Sequence, residues 1–207
     1  MKLIVTETIL YLSFLGMDIF GIGNSTPIKF VSILLLTLSV LDFREKMVSL
    51  ALILTLIADV FLLVLDRWYA AGVLCFLAVQ ILYAVRLQKE NRGNGAALLS
   101  FLLPAAAGLI TCTSYGFGLT EALAAAYITL FAVNLVRACL LAKRSGENKW
   151  ILFAAGLALF FCCDLCVGLH NMPGTGGPAL QRFAELAMWA FYLPGQVLIC
   201  TSAYTDK

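Results

Sequence analysis

Two aspartates stand where a carboxylate is expensive. Asp59 interrupts LIADVFLLVL (56–65), and Asp164 interrupts ALFFCCDLCVGL (158–169); each is the lone charge in its stretch. An ionised Asp at the centre of a membrane helix costs roughly 2.5–3.5 kcal/mol on insertion scales. The plain account of such a residue is a structural hydrogen bond to a neighbouring helix. Intramembrane carboxylates are rare enough that a functional role is the default reading, and two of them strengthen it. Desolvation favours the neutral form of a carboxyl, and a like charge nearby favours it further for one of a pair. Two such groups could therefore divide into a proton donor and an ionised partner. That division serves acid–base catalysis on a substrate, or a proton relay in a transporter.

Other polar side chains are spaced to accompany them. Gln80 and Tyr83 stand at i and i+3, and Tyr192 and Gln196 at i and i+4, so each pair shares one helix face. Cys163 and Cys166 form a C-x-x-C, but zinc needs three or four ligands, and His170 is the only histidine. The expectation is no metal, with both thiols packed as small residues between helices. Asp18 and Glu185 fall near helix ends and read as solvated interface residues. Glu121 opens a helix, where a carboxylate complements the helix dipole.

The elements that must position these groups follow from composition. Of 207 residues, 62% are hydrophobic, and mean hydropathy is +0.95. The apolar residues arrive in blocks of about twenty, the signature of membrane-spanning helices. Helices are expected at 3–22, 27–42, 46–65, 68–87, 96–113, 118–142, 149–169 and 181–203. The connections GNST, DFREK, LDRW, QKENRGN, SYGFG, KRSGENK and HNMPGTGGP are short. Neighbouring helices should then be antiparallel, giving an all-α bundle of eight transmembrane helices with residues 1–207 in a single domain. The first helix lacks a basic run and an A-x-A-like cleavage site, so it is expected to remain. The seven cysteines (Cys75, Cys112, Cys139, Cys162, Cys163, Cys166, Cys200) all fall in these helices, which argues against a disulfide framework. A net charge of +2 shows no nucleic-acid footprint.

Charge placement orients the bundle. One side holds Lys2, Arg44, Lys46, Arg86, Lys89, Arg92, Arg137, Lys143, Arg144, Lys149 and Lys207; the other holds Lys29, Arg67 and Arg182. Eleven against three puts both termini in the cytoplasm by the positive-inside rule. Asp59 then lies thirteen residues from Lys46 and Asp164 fifteen from Lys149. At about 1.5 Å per residue both are roughly 20 Å from the cytoplasmic end, at matched depth in parallel helices. The two halves also echo one another, each with an Asp in its third helix and a Tyr/Gln pair in its fourth. Gln80 and Tyr83 are expected two turns or more deeper than Asp59.

In this arrangement ADVFLL, FLAVQILYAVRL after Gly72, LALFFCCDLCVGL and FYLPGQVLICTSA resemble the YhhN-like lysoplasmalogenase family across about residues 27–203. Asp59, Gly72, Phe76, Tyr83, Asp164, Tyr192 and Gln196 match its pattern. Ala58 stands for its usual Gly, Gln80 for a common His, and Cys163 for a usual Ser. The resemblance implies an eight-helix membrane hydrolase that cleaves the vinyl ether of lysoplasmalogens to a fatty aldehyde and a glycerophospho-base. It implies no cofactor, and partners limited to the lysolipid and the bilayer, in the cell membrane. Asp59 and Asp164 would be catalytic, with Gln80, Tyr83, Tyr192 and Gln196 orienting vinyl ether and water. A vinyl ether is hydrolysed by protonation of its β-carbon and capture of the oxocarbenium ion by water, which suits a carboxyl pair as it does in glycosidases. The wholly apolar neighbours of Asp59 favour it as the acid. The rival class is a proton-coupled small-molecule or lipid transporter with Asp59 and Asp164 as relay; a third is a non-catalytic lipid-binding protein.

The charge asymmetry generates a direct test. Tag-accessibility mapping should find the HNMPGTGGP connection on the side opposite both termini, and cytoplasmic labelling there would reverse the topology.

Overall fold

The computed structural model describes residues 2–42, 44–90, 94–114, 118–171 and 177–205. Arg92, Lys207 and positions 172–176 of HNMPGTGGP lie outside the described residues, as do 91–93 of QKENRGN and 115–117 of SYGFG. Among the described residues all regular structure is helical: α1 (Lys2–Phe20), α2 (Thr26–Ser39), α3 (Lys46–Asp59), α4 (Tyr69–Glu90), α5 (Asn94–Ser114), α6 (Leu119–Ser145), α7 (Asn148–Asn171) and α8 (Pro178–Thr201). Six are long and apolar enough to cross a membrane: α1, α3 with its extension, α4, α6, α7 and α8. α2 has 14 residues, about 21 Å of helix, and α5 has only a shorter apolar run, Ser100–Thr113.

Local chemistry sets several boundaries. The Glu45 side chain caps α3 by accepting from the Met47 N–H, and Pro27 and Pro178 sit in the first turns of α2 and α8. α6 ends on Gly146 at φ +65°, a left-handed conformation that an L side chain resists. The third helix is not regular to residue 65 as its apolar run predicts. After Asp59 it widens into a π-helical turn, Val60–Val64, closed by the Leu65 N–H on the Val60 carbonyl at 2.9 Å. Gly72 of α4 makes room for that turn, because a Cβ there would come within 2.5 Å of the Leu62 side chain.

Both ends of the bundle carry ionic ties. At one end Arg86 is only 3% exposed; its Nε lies 3.4 Å from Glu45, and its Nη1 and Nη2 donate to Ser202 Oγ and O at 3.0 and 3.3 Å. Its guanidinium stacks over Phe153 at 4.3 Å, so this residue of the cationic side is a buried bolt joining α3, α4, α7 and α8. At the other end Lys29 pairs with Asp18 at 2.7 Å and lies over the Trp189 ring at 4.2 Å. Asp18 is thus an enclosed ion-pair partner, with Ser25 donating to it at 2.5 Å, and not the solvated residue expected from its place near a helix end. The helix fixes this: Asp18 is on the face of α1 turned toward α2. Glu185 does match the expectation, half-exposed and accepting from Arg182 at 2.9 Å. Glu121 is exposed in the first turn of α6.

Between these ends α7 and α8 form the tightest helix contact. A Cβ on Gly156 would meet the Gly195 carbonyl at 2.8 Å and the Ile199 N at 2.9 Å; one on Gly195 would meet the Gly156 carbonyl at 3.0 Å. Small residues allow such approach where lipid offers no hydrophobic drive for helix association. Pro194, one residue earlier, has no N–H for the Ala190 carbonyl four residues back. Tyr11 of α1 donates to that carbonyl at 3.1 Å instead. Cys163 and Cys166 are buried free thiols, with Cys166 packed against Ala184 and Ala187 of α8.

The glycine contact predicts a stability difference. Gly156→Ala and Gly195→Ala should each destabilise the protein by about 1–3 kcal/mol, as overpacking does. Gly168→Ala on the same α7, where a Cβ meets nothing within 4 Å, should be near neutral. Thermal unfolding of the purified proteins in one detergent checks this.

Candidate active site

Each intramembrane aspartate is held by one phenol from another helix. Asp59, the last residue of α3 before the π-turn and 5% exposed, accepts from the Tyr192 hydroxyl of α8, which lies 2.8 Å from Oδ1 and 2.7 Å from Oδ2. Asp164 of α7 accepts from the Tyr127 hydroxyl of α6 through Oδ2. Without these bonds each carboxyl would stand unsatisfied in an apolar interior, where its desolvation is uncompensated.

The two pairs flank one aromatic cluster. Phe160 lies one turn before Asp164 on α7 and meets the Tyr192 ring at 5.6 Å and the Phe76 ring at 5.6 Å. Phe76 meets Tyr127 at 6.1 Å, and Phe131 packs edge-on to Phe160 at 5.1 Å. The rings of Phe76 and Phe160 thus bridge the two tyrosines that hold Asp59 and Asp164.

The other sequence candidates divide. Tyr192 reaches Asp59. Gln196, one turn further along α8, is fully buried, and neither of its side-chain polar atoms has a partner. Gln80 and Tyr83 do not bond either aspartate. Gln80 Oε1 accepts from Asn134 Nδ2 of α6 at 3.1 Å, and Tyr83 packs edge-on to Phe153 at 5.3 Å. They follow Phe76 on α4 by one and two turns, about 6 and 10 Å toward the Arg86 end. The echo between halves therefore does not hold for the phenols. The fourth helix supplies no partner for an Asp, and α6 supplies Tyr127 in its place.

Three groups escape a reading of the sequence alone. Tyr127 follows a run of alanines (ALAAAYITL) and looks like packing until α6 is seen against α7. Its neighbours at helical spacing, Leu123, Leu130 and Phe131, are apolar, so nothing on that face marks it. Thr55 precedes Asp59 by one turn and is fully buried. Glu7 of α1 is a third enclosed carboxylate, 2% exposed and facing Ser32 of α2. It borders a groove of about 240 Å³ between α1 and α8, lined by Ile4, Tyr11, Leu193, Pro194 and Val197. Among the described residues no group of three or more His, Cys, Asp or Glu side chains is placed to hold a metal ion.

The phenol bonds predict unequal costs for three similar substitutions. Tyr192→Phe strips buried Asp59, and Tyr127→Phe part-buried Asp164, of its donor, and each should cost about 1–3 kcal/mol. Tyr83→Phe removes a hydroxyl that has no partner and should cost less than about 0.5 kcal/mol. Thermal midpoints of the three purified variants give the comparison.

Comparison with known proteins returned no match among curated proteins and none among solved structures. A model of the YhhN family matches residues 24–203, a span that begins just before α2 and takes in Asp59, Asp164, Tyr127 and Tyr192. This multi-pass helical chain, with its two phenol-bound aspartates, belongs to the YhhN family.

Proposed function

We propose that this protein is a membrane hydrolase that cleaves the vinyl ether of lysoplasmalogens, releasing a fatty aldehyde and a glycerophospho-base. One observation supports the reading beyond family membership: two carboxyls in apolar helices are each held by a tyrosine, and the two tyrosines flank one aromatic cluster. The chain crosses the cell membrane eight times with both termini cytoplasmic, as its charge bias supports.

The chemistry divides between the two aspartates. Asp59, the more enclosed, carries a proton and gives it to the β-carbon; the C=C electron pair forms the new C–H bond. The α-carbon is then an oxocarbenium ion, which ionised Asp164 stabilises as counter-charge. Aromatic faces around it exclude bulk water and add electrostatic attraction for the cation. Water attacks the α-carbon and yields a hemiacetal. The hemiacetal breaks its C–O bond to glycerol, the glycerol oxygen takes up a proton, and the aldehyde leaves. Tyr192 and Tyr127 fix the two carboxyls, while Gln80, Tyr83 and Gln196 line the side nearer the Arg86 end. The mechanism needs only the carboxyl pair and water.

A transporter reading retains one supporting observation. Irregular helices mark substrate and ion sites in transporters, and the π-turn begins at the residue after Asp59. That reading predicts ion or lipid flux without bond cleavage.

Aldehyde release from a vinyl-ether lysolipid, against an acyl lysolipid control, separates the two. Asp59→Asn and Asp164→Asn should each lower it by about 10²–10⁴-fold while leaving the protein folded. The double variant should be little worse than either single, since the residues act as a unit. A loss below tenfold in either single variant counts against the assignment.

A further inference from the structure

One turn from the Asp59–Tyr192 bond, toward the Arg86 end, lies a set of buried polar groups with no protein partner. Thr55 precedes Asp59 by four residues on α3, and Gln196 follows Tyr192 by four on α8. The two helices run in opposite directions, since Glu45 at the start of α3 and Ser202 at the end of α8 both hold Arg86. The Tyr192–Asp59 bond sets their register, so one turn along each brings Thr55 and Gln196 to the same level, about 6 Å from the carboxyl. Both are fully buried. Thr55 Oγ1, Gln196 Oε1 and Gln196 Nε2 make no hydrogen bond within the protein.

Thr55 departs from the habit of its own bundle. Many Ser and Thr hydroxyls in these helices donate to the carbonyl four residues back, as Thr8, Ser13, Ser32, Thr37, Thr129 and Thr201 do. The Thr55 hydroxyl does not take that bond. A buried polar group left unpaired is costly, and a water with two to four polar partners is the ordinary remedy. Gln196 offers both a donor and an acceptor, and Thr55 offers either.

We infer that Thr55 and Gln196 hold the water that captures the oxocarbenium ion; the inference rests on the hydrolase reading above. They are positioning residues for the nucleophile. Once Asp59 has given its proton to the β-carbon, it is a carboxylate one turn from that water. The water oxygen forms the bond to the α-carbon, its O–H bond breaks, and the proton returns to Asp59. Asp59 thereby regains its starting state within one turnover, with Asp164 left as counter-charge throughout.

The experiment measures kcat of full-length protein in H₂O and D₂O with a vinyl-ether lysophospholipid, for wild type, Thr55→Val, Gln196→Leu and Thr55→Ser. Unreacted substrate recovered from D₂O is also assayed for deuterium at the β-carbon by mass spectrometry. In wild type, proton transfer to carbon limits the rate, and recovered substrate should carry no deuterium. Thr55→Val and Gln196→Leu should lose about 10–100-fold in kcat, and their recovered substrate should carry deuterium at the β-carbon, because slow capture lets the protonation reverse. Thr55→Ser, which keeps the hydroxyl, should restore both. Exchange per aldehyde released is a ratio taken on the same preparation, so partial misfolding does not move it. Variants that slow without exchange, or do not slow, overturn the inference while the hydrolase reading stands. Absence of aldehyde from wild type overturns that reading and this inference with it.

Discussion

A carboxyl removed from water must find its hydrogen bond inside the protein, and this bundle meets that constraint twice with the same device. Tyr192 serves Asp59 and Tyr127 serves Asp164. Each bond ties two helices: α8 to α3, which are far apart in sequence, and α6 to its neighbour α7. Deleting a donor costs more than the bond itself contributes, because the remaining carboxyl keeps its desolvation penalty. The cross-links therefore act as register marks. Aromatic packing between them, centred on Phe160, follows from where those marks place α4, α7 and α8.

In a bilayer, apolar side chains gain little by leaving lipid for protein, so polar bonds and close backbone contact must hold the helices together. The distribution of those forces is layered. Lys29, Asp18 and Ser25 tie one end, Arg86, Glu45 and Ser202 the other, and the two phenol–carboxyl bonds occupy the interior. Gly156 and Gly195 bring α7 and α8 together between the interior layer and the Arg86 end. A continuous line of contacts also runs from Lys29 over Trp189 to Tyr192 and so to Asp59. The geometry of the interior is thus anchored from the end of the bundle that bears the α1–α2 turn.

Much of this was legible in the chain because membrane insertion leaves a one-dimensional signature. Apolar blocks located all eight helices to within a few residues, and Asp59 and Asp164 announced themselves by their cost. Pairing between helices left no such trace. The i, i+3 spacing of Gln80 and Tyr83 shows that they share a face, but spacing within a helix does not say which helix that face meets. By spacing alone Tyr83 is as good a candidate as Tyr192, and Tyr127 is not singled out. Lys29 and Arg86 counted as end charges by position, although each is buried against a carboxylate and an aromatic ring. The π-turn was hidden because Val60–Val64 is as apolar and unbroken as any regular helix. Its signal is Gly72, on a different helix.

The two helices that share the Asp59–Tyr192 bond are also the two that depart from regular α geometry near it. α3 widens just after Asp59, and α8 lacks a backbone bond at Pro194, two residues past Tyr192. Freed backbone groups at membrane depth are tolerated only where protein or a polar cavity satisfies them. Tyr11 does so for the Ala190 carbonyl, and Leu65 closes the wide turn onto Val60. A π-turn shifts the phase of a helix, so the side chain at its edge is aimed by its partners and less by the 3.6-residue repeat. Asp59 occupies that edge. Its direction then depends on Tyr192 holding both carboxyl oxygens and on Gly72 leaving space for Leu62. The aim of the carboxyl is consequently set by α4 and α8 as much as by the helix that carries it.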